Sequence, residues 1–253
     1  MRALKLPCSV ALGPLLILLV IVSVSVSAGC GPAGKAAPKP TPSPQPASDP
    51  AACKAGDGAA CVRVADAHAA QGDEAGAINI YKRACVAGAE AGCARFEELV
   101  GAKCDAGDLP ACNSLGFFHD QRGAGAKAAP LYKKVCDGGA MPGCVNLGYL
   151  YENGQGVAAD LDQARDLYKK ACDGADMDGC GNLAALYFNG LGVKQDHKAA
   201  AVLLSKACDG EHAQSCSVLA DLTEGGVGVA KDVALASKLR QRACTLGFQD
   251  ACQ

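Results

Sequence analysis

Fourteen of the sixteen cysteines in this chain fall into seven pairs, each pair enclosing seven residues. They are Cys53/Cys61, Cys85/Cys93, Cys104/Cys112, Cys136/Cys144, Cys172/Cys180, Cys208/Cys216 and Cys244/Cys252. A spacing repeated this often means that one local geometry is being repeated. An even set of regularly spaced cysteines in an exported chain reads as a disulfide framework. The rival reading is metal binding, but structural zinc sites bring their ligands in short Cys-x2-4-Cys knuckles. No Cys-x-x-Cys occurs here, which also removes the thioredoxin-like redox motif and the c-type haem attachment motif. Neither a metal nor a cofactor is expected.

Export is read from the N-terminus. Arg2 and Lys5 precede an apolar run from Leu15 to Val22, and small residues follow at Ser25, Ser27, Ala28 and Gly29. That is the plan of a secretory signal peptide. The run is shorter than the roughly 20 residues of a membrane span, and Pro14 interrupts the apolar stretch. Ser27-Ala28-Gly29-Cys30 resembles a bacterial lipobox, departing from it at Ser27, where Leu is commoner. The resemblance implies that Cys30 is lipidated and becomes the mature N-terminus, anchoring the chain to a membrane. Gly31, a non-acidic residue after that cysteine, implies outer-membrane sorting in an organism that has one, facing the periplasm or the cell surface. A secreted or soluble periplasmic protein is the alternative. Residues 31–50 are rich in Pro, Ala and Ser, as in a tether. With Cys8 removed and Cys30 lipidated, every remaining cysteine has a partner.

Self-similarity extends beyond the cysteines. Pair-to-pair steps are 32, 19, 32, 36, 36 and 36 residues. The segment from Cys144 runs through Leu147-Gly148, Leu150-Tyr151, Gly154 and Gly156-Val157 to Ala164, Leu167-Tyr168 and Ala171-Cys172, and the next unit repeats the plan. Ala164, Leu167, Tyr168, Ala171 and Cys172 carry the i, i+3, i+4, i+7, i+8 period of one buried helix face. Gly154 and Gly156 suit backbone positions of positive φ beyond a helix end. Gly148, with Ala184 in the same register, suits a close approach of two backbones. Each unit is therefore a helix A, a glycine loop, a helix B and a turn carrying the cysteine pair. Between Cys93 and Cys104 only one short helix fits, Ala94 to Lys103, so the alternation loses a helix and a bend is expected there. The expected organisation is a signal peptide over 1–29, a tether over 30–50, irregular helical repeats over 51–103 and regular repeats over 104–253. The fold class is all-α, a solenoid of helix pairs with a disulfide at every turn.

The block Leu-Gly-x-x-Tyr-x-x-Gly-x-Gly-Val followed by Ala-x-x-Leu-Tyr-Lys-Lys-Ala-Cys-x-x-Gly resembles the SEL-one-like repeat, a relative of the tetratricopeptide repeat. The added Cys-x7-Cys is similar to the Helicobacter cysteine-rich protein family. The resemblance covers 51–253, is strong from Cys104 onward, and weakens where Val62 to His68 and Ala75 to Ala84 lack the Gly-x-Gly-Val loop. It implies penicillin binding or weak β-lactam hydrolysis, but the chain has no Ser-x-x-Lys, no Gly-x-Ser-x-Gly and no phosphate loop to carry such chemistry.

Candidate chemistry is otherwise sparse. His68 and His119 stand seven residues after a cysteine, in the register of Tyr151 and Tyr187, and read as polar-tipped repeat positions. His197 and His212 fall in charge-rich inter-helix segments and read as solvated. No His-Glu-x-x-His motif is present, and no catalytic residue is assigned. The formal charge is −2, and the basic pairs at 82–83, 133–134 and 169–170 read as solvated faces or partners of helix C-termini, not as a nucleic-acid groove. What remains is the extended surface of stacked helices, which repeat proteins use to hold a peptide or protein. Asn146, Tyr149, Asn182, Ala185, Ser217 and Asp221 are its candidate partner-selecting residues. A binding scaffold in the cell envelope is the leading expectation. A weak β-lactamase or penicillin-binding protein and a structural envelope spacer are the alternatives.

Overall fold

A computed structural model describes residues 50–252. The signal peptide, Cys30 and nearly all of the tether lie outside the described residues. Twelve helices follow one another, with no strand among the described residues. They are α1 (Pro50–Lys54), α2 (Gly58–Ala70), α3 (Glu74–Val86), α4 (Glu90–Asp105), α5 (Leu109–Gln121), α6 (Gly125–Asp137), α7 (Met141–Asn153), α8 (Leu161–Asp173), α9 (Met177–Asn189), α10 (His197–Asp209), α11 (Ala213–Gly225) and α12 (Val233–Thr245). A single 3₁₀ turn, Gln249–Ala251, ends the array. Each helix packs on its chain neighbours, and helices two apart touch at α7 with α9 and α2 with α4, the near-neighbour pattern of a solenoid.

All seven expected bridges are formed: Cys53–Cys61, Cys85–Cys93, Cys104–Cys112, Cys136–Cys144, Cys172–Cys180, Cys208–Cys216 and Cys244–Cys252. Their Cα separations are 4.5–4.9 Å. That is the short end of the disulfide range, because the bridge closes a three-residue turn. The tightness also shows at the sulfurs. The Sγ atoms of Cys61, Cys112, Cys180 and Cys216 lie 3.3, 3.4, 3.7 and 3.5 Å from the backbone carbonyl oxygens of their own partners, Cys53, Cys104, Cys172 and Cys208. Pairing alone, as read from the spacing, does not foretell this contact. An oxidised sulfur carries no proton, so these four approaches are close packing across the turn and not thiol hydrogen bonds.

From α6 to α7 the turn is Gly138-Gly139-Ala140, and Gly139 takes φ +85°. Ala175 and Glu211 occupy the same turn position with φ 64° and 67°, a conformation costing about 1–2 kcal/mol without glycine. Between Cys93 and Cys104 lies one helix, as the spacing predicts. It is longer than 94–103 because α4 holds both cysteines inside its ends, beginning like an A helix and finishing like a B helix. The apolar core passes through it without a gap: Tyr81, Phe96, Val100, Leu115 and Phe118 belong to one buried cluster.

Loop length explains the two repeat steps. The 36-residue units join A to B through seven residues, such as Gly154–Asp160, whereas α2–α3 and α5–α6 are joined by three. The unit of α5 and α6 thus lacks the Gly-x-Gly-Val loop despite lying beyond Cys104. In the long loops the first glycine caps helix A in the left-handed region, as Gly154 (φ 65°) and Gly190 (φ 70°) do. The second glycine rests on the start of the preceding B helix. A Cβ at Gly156 would stand 2.0 Å from the Ala126 nitrogen, and one at Gly228 would stand 2.2 Å from the His197 oxygen. Helix starts are fixed by aspartates: Asp57, Asp73, Asp108, Asp160, Asp176, Asp196 and Asp232 each accept a backbone N–H three residues on.

The space at Gly148 is not filled by a second backbone, as the sequence suggested, but by the Tyr168 ring. A Cβ there would lie 2.7 Å from Tyr168 Cε1, and Gly116 meets Tyr132 identically. Tyr81, Tyr132 and Tyr168 are the largest fully buried side chains. Tyr168 donates to Glu152 at 2.7 Å and Tyr81 to Asp66 at 2.5 Å, while the buried Tyr132 hydroxyl has no partner among the described residues. Burial pushes both the Tyr132 and Tyr168 phenols far above their ordinary value. Most of the remaining core is alanine and half-cystine, which bury little area each.

Basic residues tie consecutive stapled turns together. Arg83, Lys134, Lys170 and Lys206 donate to the carbonyls of Cys53, Cys104, Cys136 and Cys172, at 3.3, 2.6, 3.0 and 2.8 Å. Each carbonyl lies at the C-terminal end of the preceding B helix, so the cation meets the negative end of that helix dipole. Thus the second member of each basic pair is a dipole partner, in trans, one repeat away. The first member behaves differently: Lys133 and Lys169 pair with Asp137 and Asp173 on their own exposed helix faces. Lys170→Met is therefore expected to cost about 1 kcal/mol in thermal denaturation. Lys169→Met, which removes an exposed i,i+4 pair, should cost less than about 0.5 kcal/mol.

Candidate functional site

The A helices expose a register that the B helices do not cover. Phe117 and Tyr149 occupy equivalent positions of α5 and α7, each 46% exposed despite its aromatic ring. Ala185 and Asp221 continue the row, and Asp221 is held by Arg240 at 2.9 Å. A second row comprises Ser114, Asn146, Asn182 and Val218. Asn146 reaches across to donate to Asn113 at 3.1 Å. Ser217 does not belong to this row. It lies one residue earlier, in register with Asn113, Val145 and Gly181, and Val218 stands where Asn146 and Asn182 do.

The rows converge on a cavity of about 390 Å³ between α9 and α11. Asn182 and Ala185 line it, while the other four candidates, Asn146, Tyr149, Ser217 and Asp221, do not. Its apolar wall comprises Val145, Ala184, Phe188, Leu204 and Val218. No half-cystine reaches it. Cys61, Cys112, Cys180 and Cys216 stand in the first turns of α2, α5, α9 and α11, fully buried and bridged, so they support the A-helix face from below and offer no thiolate to it. His212 and Ser215 form the polar end of the cavity. The His212 Nδ1 lies 2.7 Å from the Ser215 Oγ, and its Nε2 lies 3.0 Å from an Asp178 carboxylate oxygen. With the imidazole neutral and Asp178 ionised, the Ser215 hydroxyl donates to Nδ1 and Nε2–H donates to Asp178. Ser215 is only 2% exposed.

The four histidines therefore separate. His212, expected in solvent, is partly buried and has partners on both nitrogens, because it caps α11 and leans onto α9. His197 is only partly solvated: its ring lies 4.8 Å from that of Phe188, and its Nδ1 is buried. His119 is buried beside Phe118, and that burial lowers its pKa. His68 bonds Asp73 at 2.7 Å at the exposed end of α2. The sequence reads His212 as solvated and gives no signal at Asp178 or Ser215, since 34 residues separate Asp178 from His212 and no spacing motif joins the three. No group of three or more His, Cys, Asp or Glu side chains is arranged to hold a metal among the described residues.

Stacked helix pairs, stapled turns and an open A-helix face define the class: a helical-repeat scaffold. The Sel1 repeat model matches residues 142–176, 178–212 and 213–248, and this stretch of the chain consists of Sel1 repeats. Similar solved structures include c5321, a protective antigen of uropathogenic Escherichia coli displaying an SLR fold, at 21% identity and TM-score 0.55 over 79% of this chain and 48% of that one. This chain thus spans about half the length of that relative. A Sel1 repeat protein from Oxalobacter formigenes matches at 23% identity and TM-score 0.55, over 75% of this chain and 71% of its own. Helicobacter pylori cysteine rich protein B is 34% identical over 51% of this chain and 94% of its own, with TM-score 0.43. No curated protein sequence matches. Seven formed bridges belong to an oxidising compartment, and the chain is extracytoplasmic.

Proposed function

We propose that this protein is an envelope scaffold that holds a protein or peptide partner against its A-helix face, tethered to the outer membrane by a lipid on Cys30. The observation that carries the binding reading is the pair Phe117 and Tyr149, two half-exposed aromatic rings in one register of adjacent A helices. Aromatic side chains held rigid on a helix supply large contact area at little entropic cost and dominate protein interfaces. Asn182 and the cavity beside it extend the same face. The anchor is supported by the lipobox-like Ser27-Ala28-Gly29-Cys30 and by the Pro-rich tether that follows. The comparisons add no support for β-lactam hydrolysis or penicillin binding.

Capture of partners from solubilised envelopes by purified, disulfide-intact protein tests the reading. Phe117→Asp together with Tyr149→Asp should lower recovery of the captured partner at least about tenfold and leave the melting temperature within a few degrees. Equal recovery by the double variant would place binding elsewhere.

A further inference from the structure

The repeats allow each side chain to be compared with its equivalents, and three departures meet at one place. Before the second cysteine of a staple, the units carry Ala60, Gly92, Ala111, Gly143 and Gly179, but α11 carries Ser215. At the helix cap, where Asp57, Asp108 and Asp176 alternate with Ala89 and Ala140, α11 alone carries an imidazole, His212. After the second cysteine, Asn113, Val145 and Ser217 have side chains, but α9 has Gly181. A Cβ at Gly181 would stand 3.3 Å from the Ser215 Oγ and 3.5 Å from the His212 Cε1. A longer side chain there would cover the pair. With no side chain at Gly181, the buried Ser215 and the half-buried His212 both line the 390 Å³ cavity.

We propose that this cavity is an acyl-transfer site in which Ser215 is the nucleophile, His212 its base and Asp178 the group that orients His212. This goes beyond partner binding and does not depend on it. The hydrogen-bond chain Ser215–His212–Asp178, at 2.7 and 3.0 Å, is the nucleophile–base–orienter arrangement that activates a serine. Ser215 lies in the first turn of α11, where backbone N–H groups have no intrahelical acceptor and can receive an oxyanion. The substrate class is an ester of a small apolar acid, its acyl chain against Val145, Leu204, Phe188 and Val218.

The steps balance without a further reagent but water. The Ser215 Oγ bonds to the acyl carbon while its proton passes to His212 Nδ1, and the imidazolium is held through Nε2–H by Asp178. The tetrahedral adduct collapses, the ester C–O bond breaks, and the leaving alcohol takes the proton back from His212. Water then gives a proton to His212 and its oxygen to the acyl carbon. The acyl–Oγ bond breaks, the acid leaves, and Ser215 recovers its proton.

A fluorophosphonate probe tests this on the full chain. Its reaction forms an Oγ–P bond and expels fluoride, and peptide mass mapping locates the adduct. One adduct is expected, on Ser215. His212→Asp, which restores the residue that caps α9, should keep the fold and slow labelling at least about 100-fold. Gly181→Asn, the α5 residue at that position, should block labelling by covering Ser215. Ser215→Gly should abolish it, and p-nitrophenyl butyrate hydrolysis should be lost in the same variants. No adduct on Ser215 in the native protein, or a His212→Asp variant that labels as fast as the native, would show that the three residues only cap and pack. Should Ser215→Gly fail to fold, His212→Asp decides the question.

Discussion

Full reduction and alkylation of the seven bridges should remove the cooperative thermal transition of residues 50–252. Each bridge closes a nine-residue loop, nominally worth about 2.6 kcal/mol in the chain-entropy model. Folded domains are stable by only about 5–15 kcal/mol in total. The contributions of seven bridges need not add, but losing even half of them uses up a margin of that size. The core cannot make up the loss, since alanine and half-cystine dominate it and its large, fully buried side chains are few: Tyr81, Tyr132, Tyr168, Leu150, Leu186 and Val135. Twelve of the fourteen half-cystines are themselves buried, so reduction also loosens packing at six turns. The effect should be largest where the second sulfur is packed on its partner's carbonyl, at Cys61, Cys112, Cys180 and Cys216, since an alkylated thiol has no room there. The terminal bridge should matter least, because Cys252 is exposed. Far-UV circular dichroism melts with and without a phosphine reductant read the effect. An unchanged transition in the reduced, alkylated protein would mean that the helices stack without their staples.

The largest effect expected of a single substitution is at Gly156. Alanine there meets two obstacles. The backbone sits at φ +73°, costing a side chain about 1–2 kcal/mol, and the added Cβ falls 2.0 Å from Ala126 N and 2.1 Å from Gly125 C. Both atoms are backbone at the start of α6, so a rotamer change cannot relieve the contact. The loop must lift off the preceding repeat, and overpacking of this kind costs about 1–3 kcal/mol more. The sum, about 2–5 kcal/mol, corresponds to a melting temperature lowered by roughly 5–15 °C. Gly139→Ala is the matched control. Its φ of +85° is equally unfavourable, but nothing lies within 4 Å of the new Cβ. It should cost only the conformational part, about 1–2 kcal/mol. Equal losses at the two sites would show that the loop does not bear on the neighbouring repeat.

The features legible in sequence were those governed by short-range spacing. Seven identical cysteine intervals specify seven tight turns, and the apolar period of Ala164, Tyr168 and Ala171 specifies the buried face of α8. The 19-residue step specifies a helix that closes one staple and opens the next. Features that depend on stacking were not legible. Lys170 finds the Cys136 carbonyl 34 residues away, a distance that becomes contact only when repeats pile up. Gly148 signals a close approach, but only the fold shows that an aromatic ring is what approaches. The capping aspartates form a local pattern, each three residues ahead of the N–H it accepts, that the cysteine spacing does not reveal. The Asp178–His212–Ser215 chain carries no periodic signal at all. It emerges only when the units are superposed and the positions that break their own pattern are found side by side.

The central claim is that the staples and glycine loops are architecture and the A-helix face is where this protein meets its partner. Photo-crosslinking amino acids placed singly at Phe117, Tyr149 and Val218 on A helices, and at Val202 on α10, test it directly, since all four residues are at least 40% exposed. The account predicts a shared crosslinked partner from the three A-helix positions and none from Val202. Adducts from Val202 with none from Phe117, Tyr149 or Val218 would contradict it.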